Sequence, residues 1–249
     1  MKENNVIEVN NLSKIFSKNY KSARGKVKKL FFETIFSRKH SLELSEGQFY
    51  VLKDISFSVK KNEKLAILGP NGSGKSTLLK LLNGIYMPDA GEISINGNVS
   101  SILELSSGFK PGLSGLDNIH LKLSIQGKNK KEIDEMLDEI IEFSELEDFI
   151  NTPMKNYSSG MKSKLGFSIV TAITPDILIL DEVFAAGDKK FREKSKSRIK
   201  ELYENVTTII VSHNMKLVEE IADRVIVIKK GQIVFDGEPL EGTKFYNDM

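Results

Sequence analysis

The chain has 249 residues, a formal net charge of +2, 40% hydrophobic residues and 28% charged residues, a balance typical of one large or two modest folded units. Cysteine is absent, which excludes disulfides, thiolate metal sites and cysteine nucleophiles. The sequence has neither the basic and apolar start of a secretory leader nor an apolar run of about 20 residues, so we expect any membrane role to depend on a partner.

The first predicted elements are two strands separated by a basic insertion. Residues 5–12 alternate apolar and polar, which predicts an edge or surface strand, and residues 51–59 predict a second strand. The insertion, residues 17–48, carries one apolar stripe that predicts a short amphipathic helix, formed by Val27, Leu30, Phe31 and Ile35. Between Lys14 and His40 there are nine Lys/Arg and one acid, which indicates a solvated surface or a site for an acidic partner or anionic lipid headgroups.

A glycine-rich loop follows the apolar run 64–69, and the pattern then becomes helical, so the order is strand, loop, helix. The loop matches G-x-x-x-x-G-K-[ST], whose glycines let backbone N–H groups surround phosphates. We predict that Lys75 neutralises the β- and γ-phosphates and that the Ser76 hydroxyl binds Mg²⁺. The predicted nucleotide-binding residues of the loop are Gly69, Pro70, Asn71, Gly72, Ser73, Gly74, Lys75, Ser76 and Thr77.

The rest of the chain alternates strands and helices. Residues 91–105 predict two short strands, and residues 129–150 predict an acidic amphipathic helix with Pro153 beyond it. From Pro175 onward a buried strand, a charged helix, a strand, a helix and a hairpin follow in turn. This alternation predicts a mainly parallel sheet covered on both faces, with binding loops at the strand ends.

Two of these strands end in residues that could bind a metal ion or take part in catalysis. The strand at 177–180 runs into adjacent carboxylates, which are costly to bury unless a metal or a reacting water is nearby. We predict that Asp181 holds Mg²⁺ through its water shell and that Glu182 orients or deprotonates the attacking water. His213 follows the next strand, and we predict that it contacts the γ-phosphate. The alternatives are a helix-capping acidic pair and a structural histidine.

In this order and spacing, the elements resemble the nucleotide-binding domains of ABC transporters over nearly the whole chain. The resemblance implies one α/β domain across residues 1–249, a P-loop NTPase of ABC type with a mainly parallel core sheet, an antiparallel β subdomain and a helical subdomain over about residues 100–170. It also implies ATP hydrolysis with Mg²⁺, pairing with a second copy of the chain, and an integral-membrane transporter subunit as partner, with no nucleic acid. The implied location is peripheral, at the cytoplasmic face of the bacterial plasma membrane.

The resemblance assigns a further set of residues to the partner's nucleotide. Residues 157–161, YSSGM, stand where the family carries its signature LSGGQ, which caps the γ-phosphate held by the other subunit. This implies nucleotide contacts made in trans by Ser158, Ser159 and Gly160. Met161 replaces the usual glutamine and cannot donate an amide hydrogen bond. Asp188 matches the family's loop that joins the two sites across the dimer.

Two family positions are matched less directly. Phe16 occupies the place where the family stacks an aromatic ring on adenine, with Tyr20 and Tyr50 as rivals and a core aromatic as the alternative. The glutamine that usually reports the nucleotide state is absent. Glu104 is the nearest polar equivalent, and it either ligates Mg²⁺ or its water or is a plain exposed strand residue.

Three departures from the common family pattern occur together: the basic insertion, the segment ELSSGF, and YSSGM followed by KLGFSI. Together they resemble the ATPase subunits that export O-antigen, capsule or teichoic-acid polymers. This resemblance implies a lipid-linked polysaccharide as cargo, with that lipid or another anionic lipid near residues 17–48. The alternatives are the ATPase of another ABC exporter or importer, a soluble ABC ATPase, and a scaffold that binds ATP without hydrolysing it.

Overall fold

The computed structural model describes residues 4–18, 44, 46–102, 108–181 and 188–249. The amphipathic helix predicted in the insertion lies outside the described residues, as does Tyr20. Glu104 and Glu182 also lie outside them, and for Asp181 only the backbone is described.

The described chain contains both strands and helices. The strands are β1 (Asn5–Ser17), β2 (Gln48–Lys60), β3 (Lys64–Leu68), β4 (Ala90–Ile95), β5 (Val99–Ser101), β6 (Ile177–Asp181), β7 (Thr207–Val211), β8 (Arg224–Lys229) and β9 (Gln232–Gly237). The helices are α1 (Lys75–Leu82), α2 (Gly115–Ile125), α3 (Lys130–Ser144), α4 (Ser159–Thr171), α5 (Lys189–Tyr203), α6 (Met215–Ile221) and α7 (Pro239–Asn247). Short 3₁₀ turns occupy Glu147–Phe149 and Met154–Asn156. No helix of these ranges is both long and apolar enough to cross a bilayer.

The chain divides into two compact units, which we call the loop unit and the signature unit. The loop unit consists of Met1–Lys60, Ile67–Asn96 and Asp223–Met249. The signature unit consists of Lys61–Ala66 and Gly97–Ala222. Strand β3 is shared, because its first residues belong to the signature unit and its last residues to the loop unit.

In the loop unit, an antiparallel sheet has the order β2-β1-β4. Of the two alternatives predicted for residues 5–12, the edge strand was wrong, since β1 is the middle strand: Val9 pairs with Phe57 on one side and with Ile93 on the other. The surface strand agrees with the burial, because Ile7 and Val9 are buried and Asn10 is exposed. Apolar alternation reports which face of a strand is buried, and carries no information about how many of its edges are paired. The strand also continues to Ser17 beyond a bulge at Asn11, whose φ of 48° is left-handed.

The same unit contains the glycine loop and the C-terminal hairpin. The last residues of β3 are buried, and helix α1 follows the loop with Leu78, Leu79 and Leu82 buried. Strands β8 and β9 form the predicted antiparallel hairpin. Its turn has positive φ at both Lys230 and Gly231, as a type I′ turn requires.

In the signature unit, β5, β6 and β7 pair in parallel, followed in strand order by β3. Residues 177–180 are all buried, as their uninterrupted apolar run predicts for a strand covered on both faces. A cluster of buried apolar residues, which we call the helical core, is formed by α2, α3, α4 and the turns between them. Its buried members are Ile119, Leu123, Ile133, Ile140, Leu146, Ile150, Met154, Tyr157, Leu165 and Ile169.

Helix α3 is shorter than the 129–150 that the sequence predicts. It begins with a capping box between Asn129 and Glu132 and ends at Ser144, because Glu145 adopts a left-handed φ of 56°. Leu146 and Ile150 continue the apolar spacing and are buried, yet they lie in the turns that follow. Helices α2 and α7 were not predicted.

Candidate functional site

The glycine loop of the loop unit is held in a conformation that only glycine allows at its critical positions. Gly69 has a φ of 153°, and a Cβ there would collide with the carbonyl oxygen of Ile228. Gly74, with a φ of 112°, caps α1, and a Cβ on it would lie 2.9 Å from the carbonyl oxygen of Val51. Helix α1 begins directly after this cap, so the N–H groups of its first turn have no intrahelical acceptor and face an incoming anion.

Lys75 supplies the positive charge of this loop. The residue is buried, and its Nζ donates to the carbonyl oxygens of Gly69 at 2.5 Å and Pro70 at 3.1 Å. The loop therefore wraps around the ammonium group. Ser73 is also buried, and its Oγ has no hydrogen-bond partner among the described residues. An unpaired buried hydroxyl, a buried ammonium and a helix N-terminus together fit the oxygens of a polyphosphate.

The donor set also fits Mg²⁺ held largely by a nucleotide. Ser76 is exposed in the first turn of α1, so its hydroxyl is accessible to a ligand. Within the described ranges, no group of three or more His, Asp or Glu side chains could hold a metal on its own. Mg²⁺ characteristically takes one or two protein oxygens together with phosphate oxygens and water, so the Ser76 hydroxyl could supply one of the protein oxygens.

Phe16 lies near the end of β1 in the loop unit and is half-buried. Its ring meets the ring of Tyr86 edge to face, with centroids 5.8 Å apart, and it pairs across the sheet with Phe49. The rival Tyr50 lies on β2, and the ammonium group of Lys53 sits 5.5 Å from its ring centroid. Tyr86, whose ring contacts that of Phe16, was not among the aromatic residues considered from the sequence.

In the signature unit, the predicted metal ligand Asp181 and the predicted catalytic residue His213 lie at the ends of paired strands. Asp181 is the last residue of β6 and pairs in parallel register with Val211, the last residue of β7. His213 lies two residues further on and is exposed. The turn around it is fixed, because the Ser212 Oγ accepts from the backbone N–H of Asn214. Asp181 and His213 therefore lie at the same end of neighbouring strands.

The signature segment forms the start of helix α4. Ser158 is the N-cap, and its Oγ accepts from the backbone N–H of Met161 at 3.1 Å. Ser159 is exposed, and the position of a Cβ on Gly160 is open apart from Ser158, so the helix N-terminus is accessible to a ligand. Met161 packs against the helical core, which gives its apolar side chain a structural role where the family has glutamine.

A groove of about 540 Å³, which we call the signature groove, lies beside this helix start. Its lining residues are Glu145, Leu146, Phe149, Ser158, Ser159, Gly160, Met161, Ser163, Lys164 and Asp188. The structure thus brings Ser158, Ser159 and Gly160 together with Asp188. Asp188 is the N-cap of α5, because its Oδ1 accepts from the backbone N–H of Phe191 at 3.0 Å.

The groove also contains a residue that sequence reasoning missed. The Nζ of Lys164 lies 2.8 Å from Glu145 Oε2 and 3.0 Å from Asp188 Oδ2. The backbone N–H of Phe191 and then Lys164 lower the pKa of Asp188 to about 2, and Lys164 also lowers the pKa of Glu145. Burial alone would lower the pKa of Lys164, but the two carboxylates outweigh it and raise that pKa. A single lysine in a helix gives no sequence signal for such a role.

The signature segment is joined to the loop before α2 by antiparallel backbone pairing. The N–H groups of Met154 and Lys155 donate to the carbonyl oxygens of Leu113 and Pro111, both at 2.9 Å. Within the same pairing, Ser114 forms a bridge with Pro153. Residues 111–116 and 150–155 are therefore paired with each other, and Ser158 follows the second of these segments three residues later.

The side chain of Asn118 holds the loop before α2 in place through hydrogen bonds. It is fully buried, accepts from the backbone N–H of Lys110 at 2.7 Å, and donates to the carbonyl oxygen of Ser114 at 2.8 Å. A buried amide needs such partners, and here they are all backbone groups of the loop. The sequence shows only an asparagine in a segment for which no helix was predicted, so this role was missed as well.

A buried strand, a glycine loop closed around a lysine, and a following helix define a P-loop nucleotide-binding protein. The ABC transporter family model matches residues 52–185. The chain is 45% identical over 203 residues to the O-antigen export system ATP-binding protein RfbB of Klebsiella pneumoniae, covering 81% of this chain and 82% of that one. The chain belongs to the ABC transporter family and is a subunit of the ATP-hydrolysing type.

A second relative is the teichoic acids export ATP-binding protein TagH of Shouchella clausii, which is 39% identical over 230 residues. That match covers 92% of this chain but 62% of the relative. A solved dimeric ATP-binding cassette bound to ADP and Pi superposes with a TM-score of 0.69 at 22% identity, covering 94% of this chain and 98% of that one. A solved ATP-binding subunit of an ABC transporter superposes with a TM-score of 0.72 at 21% identity, covering 97% of this chain and 93% of that one. These likenesses confirm the predicted fold class.

Proposed function

We propose that this chain is the ATP-hydrolysing subunit of an ABC transporter that exports a lipid-linked cell-surface polysaccharide, such as O-antigen, capsule or teichoic acid. The observation that carries the proposal is the 45% identity to an O-antigen export ATP-binding protein across most of both chains. The match to a teichoic acid export protein supports the same class of cargo. We further propose that residues 1–249 act as a single nucleotide-binding domain.

In this proposal the loop unit binds the nucleotide. The backbone N–H groups at the start of α1 and the Lys75 ammonium bind the β- and γ-phosphates, and the Ser73 hydroxyl gains the partner that it lacks among the described residues. Phe16 stacks on the adenine ring. Ser76 and Asp181 hold Mg²⁺, which would neutralise phosphate charge and polarise the bond that breaks.

Hydrolysis is assigned to residues at the ends of β6 and β7. Glu182 orients or deprotonates the attacking water, which then adds to the γ-phosphorus as the bond to the β-phosphate breaks. His213 is exposed at the end of its strand and donates a hydrogen bond to a γ-phosphate oxygen. Glu104, at the position of the family's missing glutamine, would contact Mg²⁺ or one of its waters when the nucleotide is bound.

Two copies of the chain complete each other's sites. Ser158, Ser159 and Gly160 present the N-terminus of α4, which favours negative charge, to the γ-phosphate held by the other copy. Asp188 joins the two sites across the pair. ATP therefore holds the copies together, and its hydrolysis releases them.

The remaining partners lie at the membrane. An integral-membrane transporter subunit receives the motion through the segment 104–118 and anchors the ATPase at the cytoplasmic face of the bacterial plasma membrane. The basic insertion, residues 17–48, is proposed to meet the lipid-linked polysaccharide or anionic lipid headgroups there. Nucleic acid has no part in this function.

Reconstitution with the membrane subunit tests the proposal. The complex in vesicles should hydrolyse ATP, and Glu182→Gln should abolish phosphate release while nucleotide binding persists. Lys75→Ala should lose both, whereas Lys80→Ala, at the other end of α1, should lose neither. A membrane protein that copurifies with the chain but belongs to an importer or a small-molecule exporter would overturn the choice of cargo. Undiminished phosphate release by Glu182→Gln would overturn the catalytic assignment.

Export itself is the second readout. Cells with Glu182→Gln should accumulate the lipid-linked polymer on the cytoplasmic side and lose it from the surface. Replacing Lys26, Lys28 and Lys29 with glutamate should abolish export while basal hydrolysis continues. Normal surface polymer in the triple variant would contradict the role proposed for the insertion.

A further inference from the structure

Lys164 joins segments that are far apart in sequence. It lies six residues after the signature N-cap, in the second turn of α4, and its side chain is only 14% exposed. One of its carboxylate partners, Glu145, directly follows α3, and the other, Asp188, caps the start of α5. A single ammonium group therefore connects the end of α3, the start of α5 and the signature helix.

This arrangement differs from an ordinary surface ion pair, which contributes little because water and salt screen it. The Lys164 ammonium is largely shielded from water and lies 5.0 Å from the centroid of the fully buried Phe191 ring, which adds a cation–π contact. For comparison, Lys190 is 88% exposed and lies 3.9 Å from the other oxygen of Glu145. The charge that holds this junction is therefore that of Lys164.

The junction forms part of the wall of the signature groove, together with Ser158 and Asp188. Ser158 and Asp188 are the N-caps of α4 and α5, so the direction in which each helix start points depends on how the two helices are held together. Lys164 makes the direct side-chain link between α4 and the α5 cap. Without it, Asp188 would keep its bond to the Phe191 N–H and the Phe167 and Phe191 rings would still join the two helices, but the polar link between Asp188 and the signature helix would be lost.

We propose that Lys164 is a positioning residue that holds Ser158 and Asp188 in the relation needed to receive the nucleotide of a second copy. The inference rests on the proposed function, in which both residues act across the pair. Lys164 touches no nucleotide in this scheme. Its loss should weaken ATP-driven pairing and leave nucleotide binding by the single chain unchanged.

The test compares Lys164→Met, Lys164→Arg and the matched control Lys131→Met, all with Glu182→Gln to prevent hydrolysis. Methionine keeps the length and apolar stem of the lysine without its charge, whereas arginine keeps the charge and can bond to two carboxylates. Lys131 belongs to the same unit, is 88% exposed and forms a 4.0 Å pair with Glu135. Nucleotide affinity is measured on dilute single chains, and pairing by sedimentation as ATP is raised.

We expect Lys164→Met to need about tenfold more ATP for half-maximal pairing. A change of this size corresponds to the interaction energies measured between residues in contact. The single-chain affinity of this variant for ADP should stay within about twofold of the parent. Its hydrolysis without Glu182→Gln should rise in KM for ATP more than it falls in kcat, because more ATP restores the pairing that hydrolysis requires. Lys164→Arg and Lys131→Met should pair like the parent. Lys164→Met pairing at parental ATP concentrations would overturn the proposal, as would an equal loss of single-chain affinity.

A second variant covers the case in which Lys164→Met does not fold. Glu145→Gln removes one of the two charges that hold Lys164 but leaves an oxygen acceptor, and it should raise the ATP needed for pairing by about threefold. No change in that variant would also count against the proposal. A parent chain that never pairs with ATP would instead refute the proposed function, which keeps the two failures distinct.

Discussion

The phenolic hydroxyl of Tyr157 donates a 2.7 Å hydrogen bond to the carbonyl oxygen of Phe149. Tyr157 is buried immediately before the signature N-cap, and its burial raises the pKa of the phenol. This bond closes the turn 149–157 on itself. The hydroxyl also occupies the space beside Gly115, so that a Cβ at position 115 would collide with it.

Gly115→Ala should therefore destabilise the chain. The new methyl group must displace Tyr157 or the backbone at Ile150, a cost of about 1–3 kcal/mol in the free energy of unfolding. The matched control is Gly112→Ala, because a Cβ at that glycine meets no atom within 4 Å. Urea unfolding measures both. Equal stability of the two variants would show that the space beside Tyr157 is not closed.

Ser158→Ala and Ser114→Ala separate the capping role of a serine from its role toward nucleotide. Both serines are N-caps whose side chains accept a backbone N–H, so each variant should lose about 1 kcal/mol of stability. Only Ser158→Ala should also weaken ATP-driven pairing, measured by sedimentation in the Glu182→Gln background. Loss of pairing in Ser114→Ala to the same degree would mean that reduced helix stability alone explains the effect.

Acid should weaken the cap at Asp188. The pKa of its carboxyl lies at about 2, below the ordinary 3.8, so its contribution to stability is complete above the ordinary value and declines as the pH falls toward 2. Asp188→Asn keeps a good N-cap but does not titrate. The urea midpoint should fall more steeply in the parent than in Asp188→Asn between about pH 5 and pH 3. An equal fall of the urea midpoint in both proteins would show that titration of Asp188 does not contribute to stability.

The aromatic that stacks on adenine can be identified with two probes. Phe16→Ala should weaken ATP binding by about tenfold, as expected for a lost stacking contact, and leave inorganic tripolyphosphate binding unchanged. Phe49→Ala, its cross-strand partner on β2, is the control and should affect neither ligand. Isothermal titration measures both ligands. A selective loss in Tyr50→Ala with none in Phe16→Ala would move the assignment to Tyr50.

The sequence predicts best where local chemistry alone determines the structure. The glycine loop and its flanking strand and helix follow from a short motif, and the buried run at 177–180 follows from uninterrupted apolar residues. The central place of β1 could not be predicted, since pairing on both edges depends on strands distant in sequence. Asn118 and Lys164 were missed for the same reason: each is a polar residue on a helix, and only tertiary partners give it a role.

The antiparallel pairing of residues 111–116 with 150–155 limits how this protein can vary in length. Each residue opposes a particular backbone group, from Pro111 with Lys155 to Leu116 with Ile150. An insertion or deletion within one of these stretches would leave carbonyl and amide groups of the other facing the wrong atoms. Such changes would be tolerated only when both stretches alter together, whereas the helix pair α2 and α3 that connects them could lengthen or shorten more freely.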